Sequence, residues 1–240
     1  MGGPTIRRAR PSRPRNVKPT EALSATPGPC TGNTGDVTDE EAVAAMRECE
    51  GGPDIAVGCA GTSGPMGKAP TDISRDEFAR TLEVNLTGQF LLAKHAGAAM
   101  RERGGGAVVF VASDSGFVAA PGMAAYCASK GGVLMLAKAL ATDFDADGIR
   151  VNCVAPSIVD TPMFRADLGL TGKGFEGQPF PVHREGLVAA AVCYLASDPA
   201  RGVNGTTHVL DFGALAGSAF PAWRWCRACA LCGAGGFEQS

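Results

Sequence analysis

The sequence predicts an α/β domain built on a parallel sheet. Three observations carry this. Short apolar runs near 54–58, 107–111, 149–154 and 207–211 alternate with longer segments of helical character. The central run Ala107-Val108-Val109-Phe110-Val111 is apolar at every position, as a strand covered on both faces requires. The connections are long enough for crossover helices, which places helices on both faces of the sheet.

Residues 1–33 differ from the rest of the chain. Six cations (Arg7, Arg8, Arg10, Arg13, Arg15 and Lys18) face a single acid, Glu21, and Pro4, Pro11, Pro14, Pro19, Pro27 and Pro29 oppose any helix or central strand. This stretch reads as a basic, disordered extension. Its Arg-rich, acid-poor composition also suits an organelle-targeting segment, although the prolines work against the amphipathic helix such a signal uses.

Ordered structure is expected from Gly35-Asp36-Val37. Thr38 with Glu41 forms a capping box opening a helix to about residue 49, stopped by Gly51-Gly52. A strand over 54–58 ends in Cys59-Ala60-Gly61. Ser74 with Glu77 is a second capping box, opening a long helix in which Phe78, Leu82, Leu86 and Phe90 form one apolar stripe. Gly104-Gly105-Gly106 ends that helix. After the 107–111 strand, a helix runs from the Tyr126 region to about Phe144. A strand comes next over 149–154, then a Gly- and Pro-rich loop over 161–182. A helix over 185–196 and a strand over 207–211 close the body.

A net charge of −2 and a pI near 5.9 point neither to nucleic acid nor to a membrane surface. No apolar run reaches the roughly 18 residues of a membrane span. Cys30, Cys49, Cys59, Cys127, Cys153 and Cys193 show no framework spacing and read as small, mostly buried thiols of a reducing compartment, here the cytoplasm. Cys226, Cys229 and Cys232 could ligate zinc or an iron–sulfur cluster, but no nearby His or fourth Cys completes the set, so no metal is expected.

The chemistry centres on Tyr126-Cys127-Ala128-Ser129-Lys130. A Tyr and a Lys four apart share a helix face. A free phenol, with a pKa of about 10, is a poor acid or base near neutrality, and a neighbouring ammonium draws that value down. Ser113, from a different element, can donate a hydrogen bond to an oxygen on which charge develops. The set suits proton transfer at a carbonyl or alcohol oxygen while a cofactor moves the hydride.

These residues, with Asp36-Val37-Thr38, Ala60-Gly61, Asn85-Leu86-Thr87-Gly88, Arg150-Val151-Asn152 and the stretch from Pro156 to Thr161, resemble in order and spacing the short-chain dehydrogenase/reductase family. The chain most resembles the family's 3-oxoacyl-carrier-protein reductase and sugar or steroid alcohol dehydrogenase branches. The resemblance covers about 34–215, leaving 216–240 as a Trp- and Cys-containing tail. It implies a Rossmann-like, doubly wound parallel sheet and NAD or NADP as cofactor. It also implies a small carbonyl or alcohol substrate and a homodimer or homotetramer, with neither nucleic acid nor membrane as partner. By resemblance, Tyr126 is the general acid/base, and Lys130 lowers its pKa and holds the nicotinamide ribose. Ser113 holds the substrate oxygen, and Asn85 holds a water leading from Lys130 to solvent. Asp36 and Val37 meet the adenine, Ala60 and Gly61 let the backbone pass close to the cofactor, and Pro156, Val159 and Thr161 meet the carboxamide.

The departures matter too. The family's Thr-Gly-x3-Gly-x-Gly turn does not occur before Asp36, and about 60 residues holding the first two strands are expected to be missing. The sheet is therefore expected to be N-terminally truncated, with the 54–58 strand at an open edge. Gly58-Cys59 replaces the usual Asn-Asn, removing a side-chain amide that braces the loop beyond it. Ser157 replaces a Gly. Two functions remain open: an oxidoreductase interconverting carbonyl and alcohol, or a non-catalytic remnant that associates through its long helices.

Overall fold

The computed structural model describes residues 35–45, 52–169, 175 and 180–217. At its centre lies one parallel sheet of β1 (Ile55–Gly58), β2 (Gly106–Val111), β3 (Ile149–Pro156) and β4 (Thr207–Leu210), side by side in chain order. A parallel neighbour demands a crossover, and each connection carries helix. Between β1 and β2 run α2 (Arg75–Leu82), a π-helical turn (Glu83–Thr87) and α3 (Gly88–Arg103). Between β2 and β3 runs α4 (Ala124–Asp143), and between β3 and β4 run α5 (Pro162–Asp167) and α6 (Glu185–Ala196). A short α1 (Glu40–Ala44) precedes the sheet.

The strands alternate inward and outward, so the sheet has two cores. On one face Val108, Phe110, Val151 and Cys153 meet Ala93, Ala96 and Met100 of α3 and Val133, Ala137 and Leu140 of α4. On the other, Val109 and Val154 meet Leu195 of α6. That second face is uncovered at β1, where Ile55 is 50% exposed and Val57 43%. β1 is thus an open edge among the described residues, as expected from the sequence.

The Arg150-Val151-Asn152 run has a structural explanation. Arg150 donates to the carbonyls of Leu195 (2.8 Å) and Ser197 (3.2 Å), satisfying orphan groups at the C-terminus of α6. Asn152, fully buried, donates to Val203 O (2.9 Å) and accepts from Thr206 N (3.1 Å), fixing the approach to β4.

Four expectations are corrected. The first helix is capped by Asp39, whose carboxylate accepts from Glu41 N and Ala42 N, and not by Thr38. The Thr38 hydroxyl is already committed to Asp36 Oδ1 at 2.8 Å. Its expected extension to residue 49 lies outside the described residues beyond Ala45. The 161–182 stretch is not all loop, because Thr161 accepts from Phe164 N and Pro162 takes the first helical position, starting α5. The stripe Phe78–Leu82–Leu86–Phe90 is not one buried face: its ends point outward, with Phe78 38% and Phe90 44% exposed, while Leu86 packs on the core only partly buried. The buried line is instead Thr81, Asn85 and Gln89, all polar. Finally, of the four described cysteines, Cys153 is buried while Cys59 and Cys193 are exposed.

The Ser74–Glu77 capping box is present in both directions. No helix among the described residues is long and apolar enough to cross a membrane. The extension before residue 34 and the cysteine-rich tail lie outside the described residues.

Candidate active site

Strands β1, β2 and β3 all point their C-terminal ends to one edge of the sheet, the edge at which open parallel sheets bind ligands. Each delivers expected site residues there. Ala60 and Gly61 come directly after β1, Ser113 after β2, and Pro156 ends β3 with Val159 and Thr161 just beyond. Helix α4 lies across the cluster and carries Tyr126 and Lys130.

Lys130 is 5% exposed, and its Nζ donates to the carbonyl of Val111, the last residue of β2, at 2.9 Å. The ammonium stands 5.6 Å from the centre of the Tyr126 ring. A Cβ added at Gly61 would lie 3.7 Å from Lys130 Nζ and 3.5 Å from Asn85 Oδ1, so the loop after β1 runs directly past the amine. The Ser113 hydroxyl comes near enough to the Tyr126 phenol to favour its ionised form. Ser113 Oγ also accepts from Ser115 N (3.2 Å) and contacts Asp114 Oδ1 (3.0 Å), which fixes its rotamer.

Burial, more than charge, sets the protonation of this pair. It pushes the Tyr126 phenol above its ordinary value. The nearby Ser113 hydroxyl opposes this, and the negative fields of Asp114, Cys127 and Asp167 add to it. Burial also lowers the Lys130 ammonium to about 8, against weaker upward effects of Cys59 and Cys153.

Asn85 sits in the π-helical turn, fully buried. Such turns are frequent at functional sites because they re-aim one side chain without ending the helix. Here the Asn85 amide accepts from Thr62 N (2.8 Å) and donates to Thr62 O (2.9 Å) and to Ser129 Oγ (3.0 Å). Ser129 Oγ donates in turn to Tyr126 O at 2.7 Å. Sequence reasoning assigned no role to Ser129, although it stands inside the Tyr126–Lys130 stretch, one residue from the amine. It also passed over Gln89, which donates to Ala60 O at 3.0 Å. A third unforeseen link is the hydrogen bond from Ser63 Oγ to Asp167 Oδ2, which ties α5 to the loop after β1.

This arrangement, supported by the sequence match, decides the family. The family model described as enoyl-(acyl carrier protein) reductase matches residues 12–214. The chain belongs to the short-chain dehydrogenase/reductase family. The match reaches upstream of residue 34, into the stretch whose composition suggests an extension. D-threitol dehydrogenase of Mycolicibacterium smegmatis (strain ATCC 700084 / mc(2)155) is 36% identical over 214 residues, covering 82% of this chain and 80% of that protein. Among solved structures, levodione reductase superposes with a TM-score of 0.71 at 30% identity, covering 78% of this chain and 77% of that one. ElxO with NADP bound gives 0.70 at 26% identity, covering 78% and 79%. The parallel α/β sheet is the Rossmann-like sheet of this family, and its dehydrogenases and reductases place the chain among oxidoreductases.

The structure also locates the other residues of the short-chain pattern. Val37 packs on the start of α3, where a Cβ on Gly88 would lie 2.9 Å from its Cγ2. Asp36 is exposed, with Oδ1 accepting from Thr38 N (2.9 Å) and Oδ2 paired with Arg80 (3.0 Å); Thr38 and Arg80 together draw its pKa down to about 2. Val159 bridges to His183, and Ser157 N donates to Leu210 O at 2.8 Å, so the loop after β3 is pinned to β4. Gly132 allows α4 to approach Leu86, whose Cδ2 would be 2.9 Å from a Cβ there. This close packing is within the chain.

Proposed function

We propose that this chain interconverts a carbonyl and an alcohol using NAD or NADP. One observation carries the reading: the buried Lys130 stands 5.6 Å from the Tyr126 ring at the ligand-binding edge of a parallel sheet, with Ser113 arriving there from the end of β2. The donor set fits the nicotinamide-ribose end of the cofactor. Among the described residues Lys130 Nζ makes one hydrogen bond, to Val111 O, and so keeps two protons for the hydroxyls of a bound sugar. Gly61 leaves the approach to that amine free of a side chain.

When bound, the nicotinamide supplies or accepts the hydride. Tyr126 gives a proton to the substrate oxygen in reduction and takes it back in oxidation. Ser113 donates to the same oxygen as charge builds on it. Lys130 would favour the phenolate electrostatically through the sugar hydroxyls of a bound cofactor, and Asn85 would help to hold a water between Lys130 and solvent. Pro156, Val159 and Thr161 would hold the carboxamide, and Asp36 and Val37 would hold the adenine. The bound-NADP relative at a TM-score of 0.70 supports a nicotinamide dinucleotide here. Phe164 stacks on Phe175 with centroids 5.7 Å apart, and Met163 is exposed beside them, which supports a substrate with an apolar body.

Titration of the protein with NADH and NADPH, monitored by cofactor fluorescence, tests the reading. Micromolar binding of either and turnover on a panel of apolar ketones and secondary alcohols are expected. Absence of binding by both at millimolar concentration overturns it.

A second reading is favoured by exposed apolar side chains. Phe78, Phe90 and Met135, the last 63% exposed, lie on α2, α3 and α4. Such side chains support a non-catalytic protein that associates with a second copy through these helices, as a dimer or tetramer. Association also accompanies the first reading, so cofactor binding, not oligomeric state, separates the two.

A further inference from the structure

The loop after β1 runs alongside the helix formed by α2, the π turn and α3, and the two segments meet at regular intervals. Thr81 lies against Gly64, where a Cβ would sit 2.4 Å from Thr81 Oγ1. Asn85 grips both backbone groups of Thr62. Gln89 donates to the carbonyl of Ala60 at 3.0 Å and lies against Gly58. Four helical residues therefore match two loop residues at every step. The spacing is physical: four residues of helix rise about 6 Å, and two residues of extended chain about 6.6 Å. This explains why the buried face of the helix is polar. Asn85 and Gln89 satisfy backbone groups of a segment that has no neighbouring strand among the described residues to do so, while the Thr81 hydroxyl donates to Glu77 O in its own helix.

Gln89 and Gly58 form the end of this ladder nearest β1. Gln89 is 2% exposed and its Oε1 has no hydrogen-bond partner, so the amide is held for its donor alone. A Cβ on residue 58 would stand 1.7 Å from Gln89 Oε1 and 2.9 Å from Phe110 Cδ1. No side chain fits at 58 while Gln89 remains seated. The amide that is absent from the strand at residue 58 is thus replaced by one reaching in from the helix. The braced segment continues into Gly61, which passes Lys130.

We infer that Gln89 is a positioning residue which, seated against Gly58, fixes the path of residues 58–61 past Lys130 and so shapes the nicotinamide-ribose end of the site. This rests on the function proposed above. The test must therefore include a measurement made without cofactor.

Amide hydrogen exchange, read by mass spectrometry on the full chain without cofactor, provides it. In Gln89→Leu the peptide covering 59–64 is expected to exchange roughly 5- to 10-fold faster, while the 107–111 strand is unchanged. Gly58→Ala is expected to do the same by unseating Gln89. Combined with Gln89→Ala, it should accelerate that peptide little further, because its route of action is gone. With cofactor, Gln89→Leu is expected to raise the Kd for NADH or NADPH and the cofactor KM by roughly 5- to 10-fold, with kcat within about 3-fold. Unaltered exchange at 59–64 overturns the inference. So does faster exchange with unaltered cofactor affinity when the wild type binds cofactor. If the wild type binds neither dinucleotide, the proposed function falls, and with it the role toward the ribose; the exchange data still decide whether Gln89 braces the loop.

Discussion

Asn85 Nδ2 donates to Ser129 Oγ at 3.0 Å where both residues are fully buried, joining the π turn directly to the helix of Tyr126 and Lys130. The same amide holds both backbone groups of Thr62. One side chain therefore ties three segments of the site together. Ser129→Ala removes one acceptor from a buried amide and should lower stability by about 1–2 kcal/mol. Asn85→Ala leaves Thr62 N–H and C=O without partners and should lower it by about 2–4 kcal/mol. The double variant should fall short of the sum by at least about 0.5 kcal/mol, since the two share a bond. Urea denaturation of the four proteins checks this; strict additivity would mean that the two groups act independently.

Replacing Tyr126 by Phe removes the proton donor and leaves the ring. The expected loss in kcat is about 10²- to 10⁴-fold. Cofactor affinity should change by less than about 5-fold, because the buried amine that meets the sugar is retained. Stopped-flow hydride transfer together with fluorescence titration measures both. A variant with nearly full kcat would remove Tyr126 from the reaction.

Lys130 gives the stability a defined dependence on pH. Its ammonium falls to about 8 in the folded chain from an ordinary 10.5, so between these values the unfolded chain binds more protons. Stability should therefore rise with pH across 8 to 10.5, recovering on the order of 3 kcal/mol. Two buried groups oppose this at higher pH. Burial pushes the Cys153 thiol from 9 up to about 12 and raises the Tyr126 phenol above 10. Each keeps its proton in the fold after the unfolded chain has lost it, so stability declines above 9 and again above 10. The net rise is expected at pH 8 to 9. Comparing wild type with Lys130→Met by denaturation at each pH isolates the Lys130 part, and that difference should shrink steadily from pH 8 to 10.5. A difference independent of pH would show that the amine is as solvated in the fold as in the unfolded chain.

Local chemistry was legible in the sequence wherever one segment decided the outcome. The Ser74–Glu77 box, the apolar β2 run and the span of α6 needed no tertiary information, and the structure has all three. The C-terminal positions of Ala60, Ser113 and Pro156 came from the parallel alternation. The choice of the buried helix face was not legible. Phe78, Leu82, Leu86 and Phe90 have the periodicity of a core stripe, yet of these Leu86 packs on the core only partly buried, and the fully buried side chains are Thr81, Asn85 and Gln89. Hydrophobic spacing assumes that a helix packs on apolar surface, and this half of the helix packs on bare backbone. The π turn added a shift that a 3.6-residue period does not register. Asp39 displaced Thr38 as the first cap for a similar reason, because Thr38 serves Asp36 and Arg80, the latter 42 residues away in sequence.

The outward stripe itself leads to a prediction about assembly. Phe78 and Phe90 contribute little to the monomer's own core, being 38% and 44% exposed. If a second copy covers α2, α3 and α4, Phe78→Glu puts a charge into an apolar contact. With 38% of Phe78 left to bury, roughly 0.6–1.1 kcal/mol of apolar contact is lost and desolvation of the carboxylate adds to it, so association should weaken at least roughly tenfold. The midpoint of unfolding measured on the dissociated protein should change by less than about 0.5 kcal/mol, as for an ordinary surface substitution. Helix α6 offers a competing surface, with Leu187 56% and Tyr194 45% exposed. Sedimentation velocity over a concentration series distinguishes them: a shift to monomer in Phe78→Glu but not in Leu187→Glu places the contact on the outward stripe, and the reverse moves it to α6.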